Sequence, residues 1–118
     1  MGDDEIGSKV RQLAAFVQDH KGGDVVCIDV SEVSSWTSYF IIATVTSLGH
    51  MRGLVKEIQG ELVDLEMQVN HRHKKISENG WELVDCGDIV INVMTEEMRS
   101  FYELEKLWYL GKVVDISA

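Results

Sequence analysis

The residues with the widest chemical reach are three aspartates, Asp29, Asp85 and Asp88. Carboxylates brought together can hold Mg²⁺ and orient a phosphate for nucleotidyl transfer. That chemistry also needs a glycine-rich loop to cradle phosphates, and none stands near Asp29. Asp85 and Asp88 bracket Cys86-Gly87, and aspartate is itself a favoured turn residue that bonds its own backbone. The other reading is an acidic corner that pairs with lysines and arginines of a basic protein. His71 and His73 alternate, with His50 far upstream, but no cysteine or acid stands at matching metal-ligand spacing. With Arg72, Lys74 and Lys75 they read as a solvated basic loop. Cys27 and Cys86 form no metal pattern and are expected as reduced thiols. No catalytic residue, metal site or cofactor is assigned on these residues.

The elements that must position these groups follow from periodicity. Ile6, Val10, Leu13, Ala14 and Val17 form one stripe, an amphipathic helix over Ile6 to His20. Lys21-Gly22-Gly23-Asp24 closes it, with glycine expected at the left-handed C-cap position. Val25 to Val30 and Tyr39 to Val45 are short branched runs, expected as strands buried on both faces. Ser31 to Ser38 connects them, with Trp36 inside. Thr46-Ser47 offers an N-cap for a long helix over Leu48 to Met67, striped by Met51, Leu54, Val55, Ile58, Leu62 and Leu65. Val69 to Ile76 fits a short strand or an exposed loop. Two apolar runs, 82–84 and 89–94, flank the polar turn Asp85-Cys86-Gly87-Asp88 and predict a β-hairpin. Thr95 then caps a last helix, with Glu96 and Glu97 beside the positive end of its dipole. That helix is expected to reach Trp108 and to bury Phe101, Leu104, Leu107 and Trp108. Tyr109 to Ala118 reads as a flexible tail or as a piece that pairs with a sheet edge.

The order α-β-β-α-β-β-α predicts an α/β fold: one domain over residues 1–118, with a mixed β-sheet packed by helices. The chain carries 11 basic and 20 acidic residues, a net charge of -9. That balance disfavours a direct grip on nucleic acid and favours docking onto a basic protein. With 45% hydrophobic residues it can fill a core. No apolar run approaches the roughly 20 residues of a membrane span. The start MGDDEIGSK resembles neither a signal nor a transit peptide, so a cytoplasmic location is expected.

Trp81-Glu82-Leu83-Val84-Asp85-Cys86-Gly87-Asp88, followed by Arg99 and by Tyr102-Glu103-Leu104-Glu105-Lys106-Leu107-Trp108, resembles the ribosomal silencing factor family, also called RsfS or iojap. The family pattern is a tryptophan, a strand, Asp-x-Gly-Asp, a second strand, then Arg-x-x-Tyr-x-Leu-Glu-x-Leu-Trp. Asp29-Val30-Ser31, Ser34-Ser35 with Thr37, and Ala43-Thr44 with Thr46-Ser47 fit its earlier block. The resemblance covers the chain from the first helix to Trp108. Where the family commonly carries a histidine on the second hairpin strand, this chain has Asn92.

The resemblance implies a nucleotidyltransferase-like sheet without catalytic activity, and a homodimer. It implies binding to the large ribosomal subunit through its protein number fourteen, which blocks joining of the small subunit. A role in large-subunit assembly would share the same docking site. On this chain the expected partner-binding residues are Trp81, Asp85, Cys86, Asp88, Tyr102 and Glu105. Trp81, Leu83 and Asp85 should share one strand face, an aromatic anchor beside an acid. Cys86 is expected at the tip of the turn. Tyr102 and Glu105, three apart on the last helix, could face a partner or solvent. The basic loop around residues 71–75 could touch ribosomal RNA at the rim of the site.

Overall fold

A computed structural model of the chain describes residues 2–32, 34–35, 37–67, 74–77, 80–102 and 111–114. The first helix, α1, runs Gly2–Asp19. It starts earlier than the apolar stripe, because the polar first turn can be helical without burying anything. Val10, Leu13, Ala14 and Val17 are fully buried, as the stripe requires. The Val and Leu side chains among them each contribute about 2 kcal/mol of burial. The helix does not end on a left-handed glycine. Lys21 takes that conformation at φ 72°, its N–H donates to Gln18 O, and Gly22 N–H donates to Val17 O at 2.8 Å. That is the Schellman pattern with Gly22 one place further on. Glycine is needed at 22 for closeness rather than for φ: a Cβ there would lie 2.6 Å from Val17 Cγ1 and 2.8 Å from Val17 O.

Strand β1, Gly23–Asp29, pairs antiparallel with β2, Tyr39–Val45. Only the second half of β1 is buried on both faces, at Cys27 and Ile28; Val25 and Val26, in its middle, are half-buried. Helix α2, Leu48–Asp64, starts on Ser47, whose hydroxyl accepts from His50 N–H at 3.0 Å. His50 Nδ1 reaches back and accepts from Thr46 N–H at 3.2 Å. The exchange resembles a capping box, except that the histidine reaches one residue past the cap, to Thr46 rather than to Ser47 itself. Met51, Leu54, Val55, Ile58 and Leu62 are buried as expected. The helix stops at Asp64 rather than Met67. Glu66 turns left-handed at φ 58° and Met67 N–H closes onto Leu62 O at 2.9 Å.

The ambiguous basic segment contains a strand, β3, Lys74–Ser77. The hairpin is β4, Trp81–Asp85, and β5, Ile89–Thr95. Helix α3, Glu96–Tyr102, follows at once, with Thr95 Oγ1 accepting from Met98 N–H at 3.3 Å, so the expected cap holds. Phe101 is not core. It is 76% exposed, and the residue that packs on the sheet is Met98. Helical spacing marks apolar positions without saying how far the sheet extends beneath them. Leu104, Glu105, Leu107 and Trp108 lie outside the described residues. Of the tail, Lys112–Val113 forms β6 against β1, the sheet-edge alternative, and the rest of it lies outside the described residues except Gly111 and Val114.

The sheet order is β3-β4-β5-β2-β1-β6, with β2 and β5 parallel and every other neighbour antiparallel. It is a mixed sheet, as predicted. One face packs on α1 and α2 through Cys27, Ile41, Ala43, Val84, Ile89, Ile91 and Val93. The opposite face carries Ile28, Val30, Phe40, Ile42, Val90 and Met94, with Trp81, Leu83 and Met98 packed against them.

Candidate recognition face on the hairpin

The alternation of β4 decides which side chains can meet a partner. Val84 is fully buried on the face that α2 covers, and Glu82, two residues away on the same side, is 4% exposed. Trp81, Leu83 and Asp85 are half-buried on the opposite side. The expected aromatic-plus-acid face is therefore present on a single strand. Trp81 pairs with Met94 in the register, yet its indole reaches diagonally to the next position: Nε1–H donates to Asn92 Oδ1 at 3.1 Å. The ring is thus laid along the sheet toward Leu83, the residue opposite Asn92.

The corner beyond is a two-residue hairpin loop, closed by Cys86 N–H donating to Ile89 O at 2.8 Å. Gly87 has φ 83°, the sense that the first loop position of such turns reserves for glycine. Asp85 Oδ1 accepts from Gly87 N–H at 2.8 Å. Its turn-forming role and its place on the recognition face coexist, since the second oxygen is left to other partners. Asp88 is exposed, and its carbonyl accepts from both Ser38 N–H and Tyr39 N–H at 3.0 Å. Those bonds tie the corner to the start of β2, so the acid is carried on a braced loop. Cys86 is not at an exposed tip: it is 8% exposed and belongs to the core beneath the helices. The side-chain alternation continues through residue 86, which turns the thiol inward. Tyr102 is the last described residue of α3, and Glu105, His71 and His73 lie outside the described residues.

Burial, with the Asp29 carboxylate nearby, pushes the Cys27 thiol up to about 12; burial and then Asp85 do the same for Cys86. Both are free cysteines held as neutral thiols, the wrong state for nucleophile or metal ligand. The three aspartates of the nucleotidyl-transfer reading are not gathered. Asp29 lies one residue beyond Ile28 and so points to the helix side, where its Oδ1 accepts from Ser31 N–H at 3.0 Å and Ser31 Oγ–H at 2.6 Å. Asp85 points to the other side. Both stand at the end where β2 and β5 begin. An open crevice lies where those parallel strands end, lined by Thr44, Thr46, Ser47, Leu48, Thr95 and Glu96 among others. Ligands of α/β sheets sit at that carboxyl end, and none of the three acids is there. Among the described residues no group of three His, Cys, Asp or Glu is placed to hold a metal ion, and no helix is long and apolar enough to cross a membrane.

The roles of three buried or bridging residues around the site were not read from the sequence. Asn92 is 1% exposed inside a run of Ile, Val and Met. A polar residue in such a run is the one available signal, because a buried amide needs a partner. Arg99 Nη1 donates to Asp24 O at 2.7 Å and Thr44 Oγ1 at 2.9 Å, pinning α3 to the ends of β1 and β2. Glu82 is a buried acid on the helix side, and nothing in its local sequence marks it.

Fold and site together define a small mixed-sheet α/β domain whose candidate site is a surface on a hairpin rather than a cleft. The family model for ribosomal silencing factor during starvation matches residues 3–118, and the chain belongs to that family. The family's role is regulatory rather than catalytic. The ribosomal silencing factor RsfS of Bacillus subtilis is 31% identical over 109 residues, covering 92% of each chain. The mouse protein named mitochondrial assembly of ribosomal large subunit protein 1 is 32% identical over 95% of this chain and 51% of its own length. A solved structure of a Chromobacterium violaceum protein superposes with a TM-score of 0.79 at 28% identity, covering 94% of this chain and 92% of the other. One from Bacillus halodurans does so with a TM-score of 0.76 at 27% identity, covering 92% and 98%.

Proposed function

We propose that this protein silences translation by binding the large ribosomal subunit through its protein number fourteen and blocking the joining of the small subunit. The observation that carries the reading is the Trp81–Leu83–Asp85 face, half-open on a strand whose other side is buried on the helix-covered face of the sheet. A partly buried tryptophan on a rigid strand gives a partner a large apolar anchor at little entropic cost. Asp85 and Asp88, with Tyr102 and Glu105, supply the polar rim. On a chain of net charge -9, rim acids raise the association rate onto a basic ribosomal protein and set orientation. Cys86 contributes from beneath, as the buried support of the corner. Lys74 and Lys75 on β3 belong to the basic stretch that we assign to a rim contact with ribosomal RNA. Away from the ribosome the protein is a homodimer in this reading.

A second reading, a large-subunit assembly factor, is supported by the printed name of the mouse relative. It uses the same docking face and differs in when the protein binds. Sucrose-gradient sedimentation separates the cases. The protein should travel with purified large subunits and lower the joined-ribosome peak when small subunits are added. Co-sedimentation with an undiminished joined peak favours assembly. Protein left at the top of the gradient refutes both.

A further inference from the structure

Asn92 stands at the centre of β5, 1% exposed, among Val90, Ile91, Val93 and Met94, all fully buried. Its neighbours across the sheet are Leu83 and Ile42. The orientation of its amide follows from chemistry: an indole N–H only donates, so the atom facing Trp81 Nε1 at 3.1 Å is Oδ1. The Nδ2 group is thereby turned the other way, into a place where it has no hydrogen-bond partner among the described residues. A buried N–H without an acceptor weakens a fold, and a valine or isoleucine here would suit the strand better. The position therefore holds a residue that the core alone does not favour. What the amide does is take the indole N–H of a half-buried tryptophan and lock the ring diagonally over the hairpin.

Resting on the docking reading above, we propose that Asn92 is the positioning residue of the recognition face, holding Trp81 in its binding orientation at the expense of fold stability. It does not touch the partner. It acts by removing the ring's freedom before binding, so that less ordering is left to be done in the complex.

The test is Asn92→Val, compared with Asn92→Asp, which keeps an acceptor oxygen. Melting temperature, the Trp81 indole N–H cross-peak (assigned with Trp81→Phe) and affinity for purified large subunits are measured for each. Asn92→Val should melt at or above the wild-type temperature, shift the indole cross-peak and speed its hydrogen exchange. It should also bind large subunits about tenfold more weakly. Asn92→Asp should be less stable yet bind within about threefold of wild type. A valine variant that is less stable, or unfolded, shows an amide required by the core and overturns the proposal. So does a valine variant that binds as wild type does. If wild type itself does not bind, the docking reading falls and the role of Asn92 with it; if wild type binds and only the variant pattern fails, the docking reading survives alone.

Discussion

Replacing Gly80 by alanine tests how the recognition strand is held to the helix that follows its partner. Gly80 has φ 126°, a backbone conformation that a side chain opposes by about 1–3 kcal/mol. The new Cβ would also collide with Thr95 Cγ2 and stand 2.8 Å from Thr95 Oγ1. Thr95 has no easy retreat. Its Oγ1 caps α3 by accepting from Met98 N–H at 3.3 Å, and its own N–H donates to Gly80 O at 2.9 Å. Rotating the threonine away removes a cap of about 1 kcal/mol; moving the backbone opens the end of the β4–β5 pair. The expected destabilisation is about 2–4 kcal/mol. In a domain of this size 1 kcal/mol moves Tm by about 4 °C, so Gly80→Ala should melt roughly 8–16 °C lower in calorimetry. Thr95→Ser removes Cγ2 and keeps the capping oxygen. In that background Gly80→Ala should cost about 1 kcal/mol less, a coupling that a double-mutant cycle in urea reads directly. A Gly80→Ala protein within about 0.5 kcal/mol of wild type, or additive effects in the cycle, refutes the argument.

Three other outcomes are expected. Trp81→Ala should keep the circular dichroism of the fold and weaken large-subunit binding by more than about 1 kcal/mol, seen as a drop of at least fivefold in affinity. Equal binding would remove Trp81 as the anchor. His50→Ala should lower stability by about 0.5–1 kcal/mol through the lost acceptor for Thr46 N–H, whereas His50→Gln, which keeps a side-chain acceptor at that position, should recover most of it. Equal melting of the two variants would refute the capping role. For the thiols the sign follows from a folded pKa of about 12 against an ordinary 9.0. The unfolded chain releases both protons first, so their contribution is whole below pH 9 and lost as pH rises toward 12. Each thiol should remove about 1 kcal/mol of stability per pH unit in that window. The difference between wild type and Cys27→Ala/Cys86→Ala in urea unfolding at pH 8 and pH 10 isolates it; a pH-independent difference would contradict the burial argument.

How far the site was legible depends on whether a residue's role is local. The turn role of Asp85 and the cap at Thr95 are written in their neighbours within three residues, and both are present. The shared face of Trp81, Leu83 and Asp85 follows from strand alternation alone. Cys86 was misread because a turn residue looks exposed in one dimension. Whether its side chain points out or under depends on where the alternation of β4 runs out and on the helices packed below. Phe101 failed for the matching reason: its spacing from Met98 and Leu104 marks an apolar stripe, while the width of the surface beneath is set by other strands. Asn92 was visible as an anomaly, but its partner lies on a neighbouring strand and can be named only once the register is known.

By itself the sequence determined the elements. Stripes at helical spacing in α1 and α2, the branched runs of β1, β2 and β5, the caps at Ser47 and Thr95 and the Gly87 turn are local balances of burial and backbone preference. Each is settled within about one turn of helix or one hairpin. It also determined the acidic character of the chain and the pattern of residues by which the family is known. The tertiary structure alone decided the parallel pairing of β2 with β5, which brings Tyr39 beside Ile89 across the intervening α2 and β4. It decided that α1 and α2 share one face, and the sheet register that puts Asp29 on that face and Asp85 on the other. And it decided that the Trp81 indole finds Asn92. These are contacts between distant segments, selected by how the whole set of apolar faces can be buried at once, and no short window of sequence carries that sum.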